Sequence, residues 1–284
     1  MLILRGKRYS EPCALLLGGF DGFHKGHAAL LNEAKKCGLP VGLTSIAGCK
    51  AGDDIFTLAE REIIFERTGF SFVREIEFTE EFKNTSAEDF VKELFREIPV
   101  KALFCGEDFR FGRGASGTGE RLKELAPCPV SVLPLTEAAG EKISASRLKE
   151  HVRAGETEAL NALLSFPYFI EGSVEHGRQV GRNLGFPTAN VSFGKGKLPL
   201  REGVYGGRAE TEGGTYRAVI NVGSRPTFGV GEVKIEAYLQ DFDGDLYGKR
   251  VLVFPERYLR PVTAFPTKEE LIAQLEKDKR KWFS

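Results

Sequence analysis

The chain carries no net charge: 40 lysines and arginines balance 40 aspartates and glutamates. Proteins that wrap nucleic acid show a basic excess or a basic stripe. Neither is present, so no nucleic-acid partner is expected. Long apolar runs are missing too. No stretch approaches the roughly 20 apolar residues of a membrane-spanning helix, and the opening MLILRGKRYS lacks the apolar centre of a secretory signal. Cysteines are few and scattered: Cys13, Cys37, Cys49, Cys105 and Cys128 are odd in number and form no C-x-x-C pair. That pattern argues against a disulfide framework or a zinc ribbon, and for reduced thiols in a cytoplasmic protein. Internal repeats and low-complexity segments are lacking as well.

What is present suits a globular enzyme. At 284 residues the chain is longer than one typical domain. With 42% hydrophobic and 28% charged residues it has enough apolar content for a proper core. The first half alternates short apolar runs with helical patterns. Strands are predicted at 13–18, 40–46, 72–77 and 100–105, and helices at 27–37, 57–67 and 86–97. Ser86 followed by Asp89 reads as a capping box. This alternation implies a parallel sheet covered by helices. One helix is predicted over 145–164. After Ser165-Phe166-Pro167 the helical periodicity stops until about residue 267. Short strands at 168–175, 203–210, 215–222, 232–240 and 250–254 replace it, separated by Gly and Pro clusters, and a helix over 267–283 closes the chain. That is the pattern of a small antiparallel barrel or sandwich. The division is placed between residues 157 and 158.

The most informative stretch of the first half runs from Gly18 to His27, GGFDGFHKGH, between a buried strand and a helix. Glycines let the chain turn sharply there and approach a ligand, and the helix start offers free N–H groups and a positive dipole end. His24 and His27 stand at that start. Zinc is not expected, because H-x-x-H has no third ligand nearby. The H-x-G-H pattern after this turn is similar to the motif of the nucleotidyltransferase superfamily. Residues 143–147, Ile-Ser-Ala-Ser-Arg, resemble that superfamily's I-S-S-S-R partner motif; its hydroxyls and arginine fork suit a leaving pyrophosphate. Gly106 to Gly114 follows a predicted strand end, where ligands bind in open α/β sheets, and reads as a flavin or phosphate loop.

In the second half, Gly172 to Asn190 ends in Gly185-Phe186-Pro187-Thr188-Ala189-Asn190. Pro187 holds Phe186 extended. If extension continues, Thr188 and Asn190 project to one side and offer two neutral oxygen ligands. A Mg²⁺ bound to ATP takes few protein ligands, with phosphates and waters filling the rest. Downstream, alternation puts Val233, Ile235, Ala237 and Leu239 on one face and Lys234, Glu236 and Tyr238 on the other. A glutamate in such a strand is by itself most often a solvated surface residue.

The combination of G-F-P-T-A-N, I-N-V-G-S-R-P-T-F (220–228) and E-A-Y-L-Q-D-F-D-G-D-L-Y-G (236–248) resembles the riboflavin kinase family. With the H-x-G-H half in front, residues 12–283 resemble the bacterial bifunctional riboflavin kinase/FAD synthetase family. The resemblance implies a Rossmann-like α/β FMN adenylyltransferase domain over 1–157 and a six-stranded antiparallel flavokinase barrel with a C-terminal helix over 158–284. It implies that Glu236 is the kinase base, that Thr188 and Asn190 are Mg-ATP ligands, and that Gly181, Arg182 and Pro187 contact ATP. For adenylyl transfer it implies His24, His27 and Arg147 as catalytic groups, with Gly18, Phe20, Asp21, Gly26, Ser144 and Ser146 on ATP. Flavin contacts are expected at Asp108, Arg110, Phe111 and Arg260. The implied ligands are ATP with Mg²⁺, riboflavin, FMN and FAD, with no membrane and no obligate protein partner.

The chain departs from the family pattern in two places. Many members read G-N-F-D-G where this chain has Gly19, and many carry Phe-x-Pro-His-Pro where this chain reads Thr44-Ser45-Ile46-Ala47-Gly48-Cys49. These departures raise one alternative, a riboflavin kinase with an altered first domain. A non-catalytic flavin-binding regulator is a third reading, disfavoured by the presence of both H-x-G-H and Glu236.

Overall fold

The computed structural model describes residues 1–5, 7–47, 54–138, 140–175, 188–225 and 232–283. The chain forms two compact units, Met1–Ala51 with Arg61–Ala145, and Gly52–Glu60 with Ser146–Ser284. The sequence reading put the division at 157/158, twelve residues later in the chain than the 145/146 step of this partition.

The first unit is built on a six-stranded sheet in the order β1-β4-β3-β2-β5-β6, every neighbouring pair parallel. The strands are β1 (Leu2–Ile3), β2 (Cys13–Gly18), β3 (Val41–Ala47), β4 (Phe72–Glu77), β5 (Val100–Gly106) and β6 (Val130–Leu133). Between them run α1 (Lys25–Lys35), α2 (Leu58–Thr68), α3 (Glu80–Asn84), α4 (Ala87–Glu97) and α5 (Gly119–Leu125). A small hairpin, β7 (Glu137–Ala138) with β8 (Glu141–Lys142), follows. Strand β2 is apolar throughout because both faces are covered, as in the centre of a parallel sheet. Helix α4 shows how the helices dock. The Ser86 hydroxyl accepts from the Asp89 N–H at 3.0 Å and donates to the Asp89 carboxylate at 2.7 Å. Ala87, Phe90, Val91 and Leu94 then fall on one buried face, at helical spacing. They join Leu15, Leu17, Phe72, Leu103 and Phe111 in the core.

The second unit opens with two helices, α6 (Ala145–Ala154) and α7 (Thr157–Leu163), where the sequence predicts one. Gly155 causes the break: its φ of 72° is a left-handed conformation that glycine adopts readily. A side chain there would also sit 2.6 Å from the Tyr205 hydroxyl. The strands β9 (Ile170–Glu175), β10 (Thr188–Val191), β11 (Gly203–Thr211), β12 (Gly214–Arg225), β13 (Glu232–Leu239) and β14 (Arg250–Arg260) close a barrel in the order β10-β13-β12-β11-β14-β9. Tyr205, Ile220, Val222, Ile235, Ala237 and Val253 are buried in it. The final helix, α8 (Lys268–Phe283), lies over residues of alternate parity, Val204 and Val219. Its Trp282 Nε1–H donates to the Gly207 carbonyl at 2.9 Å.

Strand β14 runs to Arg260, six residues past the predicted end at Phe254. Pro255, which cannot donate to a ladder, stands just past that end. The barrel absorbs it at a bulge: Gly207 pairs with Pro255, Gly206 with Arg257, and Glu256 is left over.

Residues 54–60 are built into this second unit. Lys197 and Glu60 form an ion pair at 2.6 Å with both side chains fully buried. The Lys197 ammonium also donates to the carbonyls of Ile55 at 2.9 Å and Phe169 at 3.1 Å. Glu60 accepts from the backbone N–H groups of Glu171 and Thr57, both at 2.8 Å. Every polar atom of the pair thus meets a partner, the condition for burying charge.

Candidate active sites

In the first unit a cavity of about 340 Å³ opens at the carboxyl ends of β2, β5 and β6. Strand β2 has β3 on one side and β5 on the other, so the chain order reverses there. Open α/β sheets bind ligands at such a point. Of the residues predicted from sequence, Gly18, Phe20, Asp21, His24, Gly26, His27, Asp108, Arg110 and Ser144 line this cavity. Phe111 does not. Its ring packs in the core, 5.3 Å from Phe90 and 5.5 Å from Phe109, and Phe109, a member of the same core, lines the cavity. Ser146 and Arg147 belong to α6 and fall in the second unit.

His24 caps α1. Its Nδ1 accepts from the backbone N–H of Gly26 at 3.1 Å and of His27 at 3.4 Å. An accepting Nδ1 leaves the ring proton on Nε2. His27 is set the other way: its Nδ1 lies 2.7 Å from the Gly22 carbonyl, which can only accept, so this nitrogen carries the proton. The two rings stack at 3.7 Å, and Phe20 stacks on His27 at 4.1 Å. A side chain at Gly26 would come to 3.0 Å from the His24 ring, a tight contact that would press on this stack. Burial pushes His24 down to about 4, with nearby Lys142 adding to the fall and Asp108 opposing it. Burial, then proximity to His24, holds His27 well below the usual imidazole range, against the bond to Gly22. Both rings are therefore neutral at pH 7. In that state His24 presents an Nε2–H beside a helix N-terminus, an arrangement that suits an anion.

The two departures from the family pattern meet here. Ser45 donates its hydroxyl to the Gly19 carbonyl at 3.2 Å, tying the turn to β3. Thr44 and Ser45 are buried and Ile46 lines the cavity, whereas Cys49 lies outside the described residues. Asp21 pairs with the buried Arg61 at 3.3 Å, and Asp108 with Lys142 at 2.8 Å. Arg110 donates to the carbonyls of Glu107 and Phe109 at 3.1 and 2.8 Å.

In the second unit the register assembles a polar row. Residues directly opposed on adjacent antiparallel strands share a face. Glu175 opposes Asn190, Asn190 opposes Glu236, Glu236 opposes Asn221, Asn221 opposes Val204, and Val204 opposes Arg260. Two cavities flank this row. One of about 450 Å³ is lined by Thr188, Asn190, Leu239 and the segment 242–247. The other, about 470 Å³, is lined by Thr188, Asn221, Glu236, Tyr238 and Arg260 from the strands. Val262 and Phe265 of the following loop and Leu271, Leu275 and Lys279 of α8 complete it. Thr188 lines both.

Thr188 and Asn190 are two apart on β10 and line the first cavity with Asp243 and Asp245. This all-oxygen set fits Mg²⁺ that keeps phosphate and water ligands of its own. Gly181, Arg182 and Pro187 lie outside the described residues. Sequence reasoning did not single out Asn221, Phe109, Phe265 or Lys279. For Asn221 the signal was available, as the one polar residue in the strand run Ala218–Val222.

Family profiles match both halves of the chain, one described as riboflavin kinase over residues 164–283 and one as FAD synthetase over residues 6–147. The bifunctional riboflavin kinase/FMN adenylyltransferase of Bacillus subtilis (strain 168) is 32% identical, with 96% of this chain and 92% of that protein covered. The protein of the same name from Escherichia coli (strain K12) is also 32% identical, over 94% and 91%. A crystal structure titled as a macrolide-efflux protein from Streptococcus pneumoniae superposes with a TM-score of 0.88 at 28% identity, covering 98% and 96% of the two chains. That title speaks of another activity than the two profiles do. Among the described residues no helix is long and apolar enough to cross a membrane.

Proposed function

The chain belongs to the family of bifunctional riboflavin kinases/FMN adenylyltransferases, and we propose that the barrel's polar row makes FMN while the His24–His27 cavity converts FMN to FAD. The enzyme phosphorylates riboflavin with ATP, then adenylylates FMN with a second ATP and releases pyrophosphate. The observation that carries the assignment of sites is the pairing of Asn190 with Glu236 between two cavities. One cavity is lined by oxygen donors suited to Mg-ATP; the other is largely apolar-walled and suits a flavin ring.

In the kinase reaction a ribityl hydroxyl oxygen attacks the γ-phosphorus of ATP. The new O–P bond forms as the bond to the β–γ bridging oxygen breaks, and ADP leaves. A hydroxyl is a weak nucleophile, so the Glu236 carboxylate takes its proton as the bond forms. Thr188 and Asn190 would hold the Mg²⁺ of ATP, which offsets phosphate charge when bound. Arg260 with Phe265, Leu271 and Leu275 would hold the flavin. For Gly181, Arg182 and Pro187 the resemblance alone supports ATP contact.

In the second reaction a phosphate oxygen of FMN attacks the α-phosphorus of ATP, and the bond to pyrophosphate breaks. The nucleophile is already ionised, so positioning and charge stabilisation suffice. His24 supplies its Nε2–H and α1 the positive end of its dipole, since the Gly26 and His27 N–H groups are taken by His24 Nδ1. His27 orients His24 by stacking. Gly18, Phe20, Asp21 and Gly26 shape the nucleotide site, and Asp108, Arg110 and Phe109, in place of Phe111, face the flavin. Ser144 holds leaving phosphate; for Ser146 and Arg147 only the motif carries that role. We further take the enzyme to be cytoplasmic, acting on small molecules without nucleic acid, membrane or obligate partner. The free thiols of Cys13, Cys37, Cys105 and Cys128 are in keeping with that compartment.

The test is incubation of the purified chain with riboflavin and Mg-ATP, followed by chromatography of the flavins. FAD is the expected product. FMN alone would remove the His24–His27 assignment, and unchanged riboflavin would contradict both sites.

A further inference from the structure

Helix α8 is sixteen residues long, and the one residue that its described side chains bury is Asp278. A surface helix ordinarily buries an apolar stripe against the core. Here the apolar side chains at the matching positions, Leu271 and Leu275, stay half-buried and line the larger cavity of the barrel unit. The buried contact of that face is a carboxylate. Its partner is Arg260: the Nε–H lies 3.1 and 3.0 Å from the two Asp278 oxygens, and Nη2 donates to Oδ2 at 2.8 Å. Gln274, one turn earlier, donates to Oδ1 at 2.8 Å. The Arg260 Nη1 donates to the Pro261 carbonyl at 3.0 Å.

Stability alone does not account for such a pair. Replacing a buried ion pair with apolar residues of similar volume is commonly neutral or stabilising. What a bidentate pair does supply is geometry, because the guanidinium is a rigid plane. Arg260 has five N–H donors, and Asp278 and Pro261 engage three. Among the described residues two are left, on a group that lines the cavity and stands in the same row as Glu236.

We propose that Asp278 is a positioning residue for the kinase substrate: it fixes the Arg260 plane so that the two remaining donors meet oxygen acceptors of the flavin in line with Glu236. This rests on the assignment of that cavity to riboflavin. Asp278 touches no substrate and acts only through Arg260. The pair also makes α8 a wall of the substrate cavity, held by charge at the point where an apolar contact would leave the arginine free to swing.

The experiment is a double-mutant cycle on the full chain, reading KM for riboflavin and kcat for FMN formation. Asp278→Asn is expected to raise KM by about tenfold or more, the size of one hydrogen bond to a charged group, with kcat within about threefold. In an Arg260→Ala background the same change is expected to move KM by less than about twofold, because the residue through which Asp278 acts is gone. The pair Arg260→Met with Asp278→Leu keeps the volume and removes both charges. It is expected to melt no lower than wild type yet bind riboflavin as weakly as Arg260→Ala. An unchanged KM in Asp278→Asn, or equal effects of that change with and without Arg260, would overturn the proposal. If the wild-type chain itself makes no FMN, the assignment of the cavity fails instead.

Discussion

Asn190 and Glu236 stand directly opposite each other on neighbouring antiparallel strands, and Asn221 opposes Glu236 from the other side. Their side chains therefore share one face of the barrel. In the proposed kinase site the proton acceptor is thereby set beside the ligands of Mg-ATP, with no loop needed to bring them together. Sites carried on strands hold their geometry better than sites on loops.

If Asn190 serves Mg-ATP, its loss is felt in the kinase alone. Asn190→Ala is expected to weaken Mg-ATP use by at least about tenfold, the cost of one charge-assisted contact. Conversion of supplied FMN to FAD is expected to be unchanged. Initial rates over a range of Mg-ATP concentrations check this.

The tautomers separate the two histidines. Neutral His24 has an N–H to give at Nε2; neutral His27 has committed its N–H to the Gly22 carbonyl. His24→Ala is expected to slow adenylyl transfer by about 10²–10³, as for removal of one preorganised donor, with FMN formation intact. Separate assays of the two half-reactions decide it.

His24 also links stability to pH. Burial lowers the folded imidazole to about 4, while the unfolded one titrates near its ordinary value. Between those values the unfolded chain binds more protons, so the contribution is present above about 6.5 and is lost as pH falls toward about 4. Asn is an equally good cap without the proton. His24→Asn is expected to show a shallower loss of stability from pH 7 to 4.5 in urea unfolding. Parallel profiles would contradict the burial of a neutral ring.

Glu60 and Lys197 bury a full ion pair within the second unit. Glu60→Gln is expected to destabilise that unit by about 3–5 kcal/mol, the cost of leaving a buried charge unpaired. Adding Lys197→Met should recover most of the loss. A fragment of residues 158–284 keeps Lys197 and lacks Glu60, so it is expected to melt below the barrel transition of the full chain. Differential scanning calorimetry of the variants and the fragment measures both.

Much of the fold was legible because its signals are local. The strand Phe72–Glu77 ends where the sequence pattern ends it, and the Ser86 cap sets the start of α4. Helix α5 and strand β6 escaped notice because they are short and weakly apolar, with Leu122 the only fully buried large residue of the helix. Gly155 carried a readable break within the predicted helix over 145–164. The run of β14 past Pro255 was not legible, because a bulge that accommodates a proline depends on the facing strand and not on the proline's own neighbours. For the proposed sites, His24 and Glu236 were singled out by motif, and Thr188 and Asn190 by alternation. Asp278 was hidden, since an aspartate on an amphipathic helix reads as solvated. Its burial follows from Arg260, eighteen residues earlier in the chain. The place of Phe111 was hidden in the same way: Phe109 and Phe111 have like spacing on both sides of Arg110, both rings join the core, and only Phe109 also lines the cavity.

The central claim is that Glu236 accepts the ribityl proton. Glu236→Gln keeps the shape and removes the basicity. The measurement is single-turnover FMN formation by this variant, beside riboflavin binding and FAD formation from supplied FMN. The account predicts a fall in the phosphoryl-transfer rate of about 10²–10⁴, the usual range for general-base help, with binding and FAD formation unchanged. Weaker riboflavin binding with the transfer rate intact would contradict it and make Glu236 a substrate-holding group.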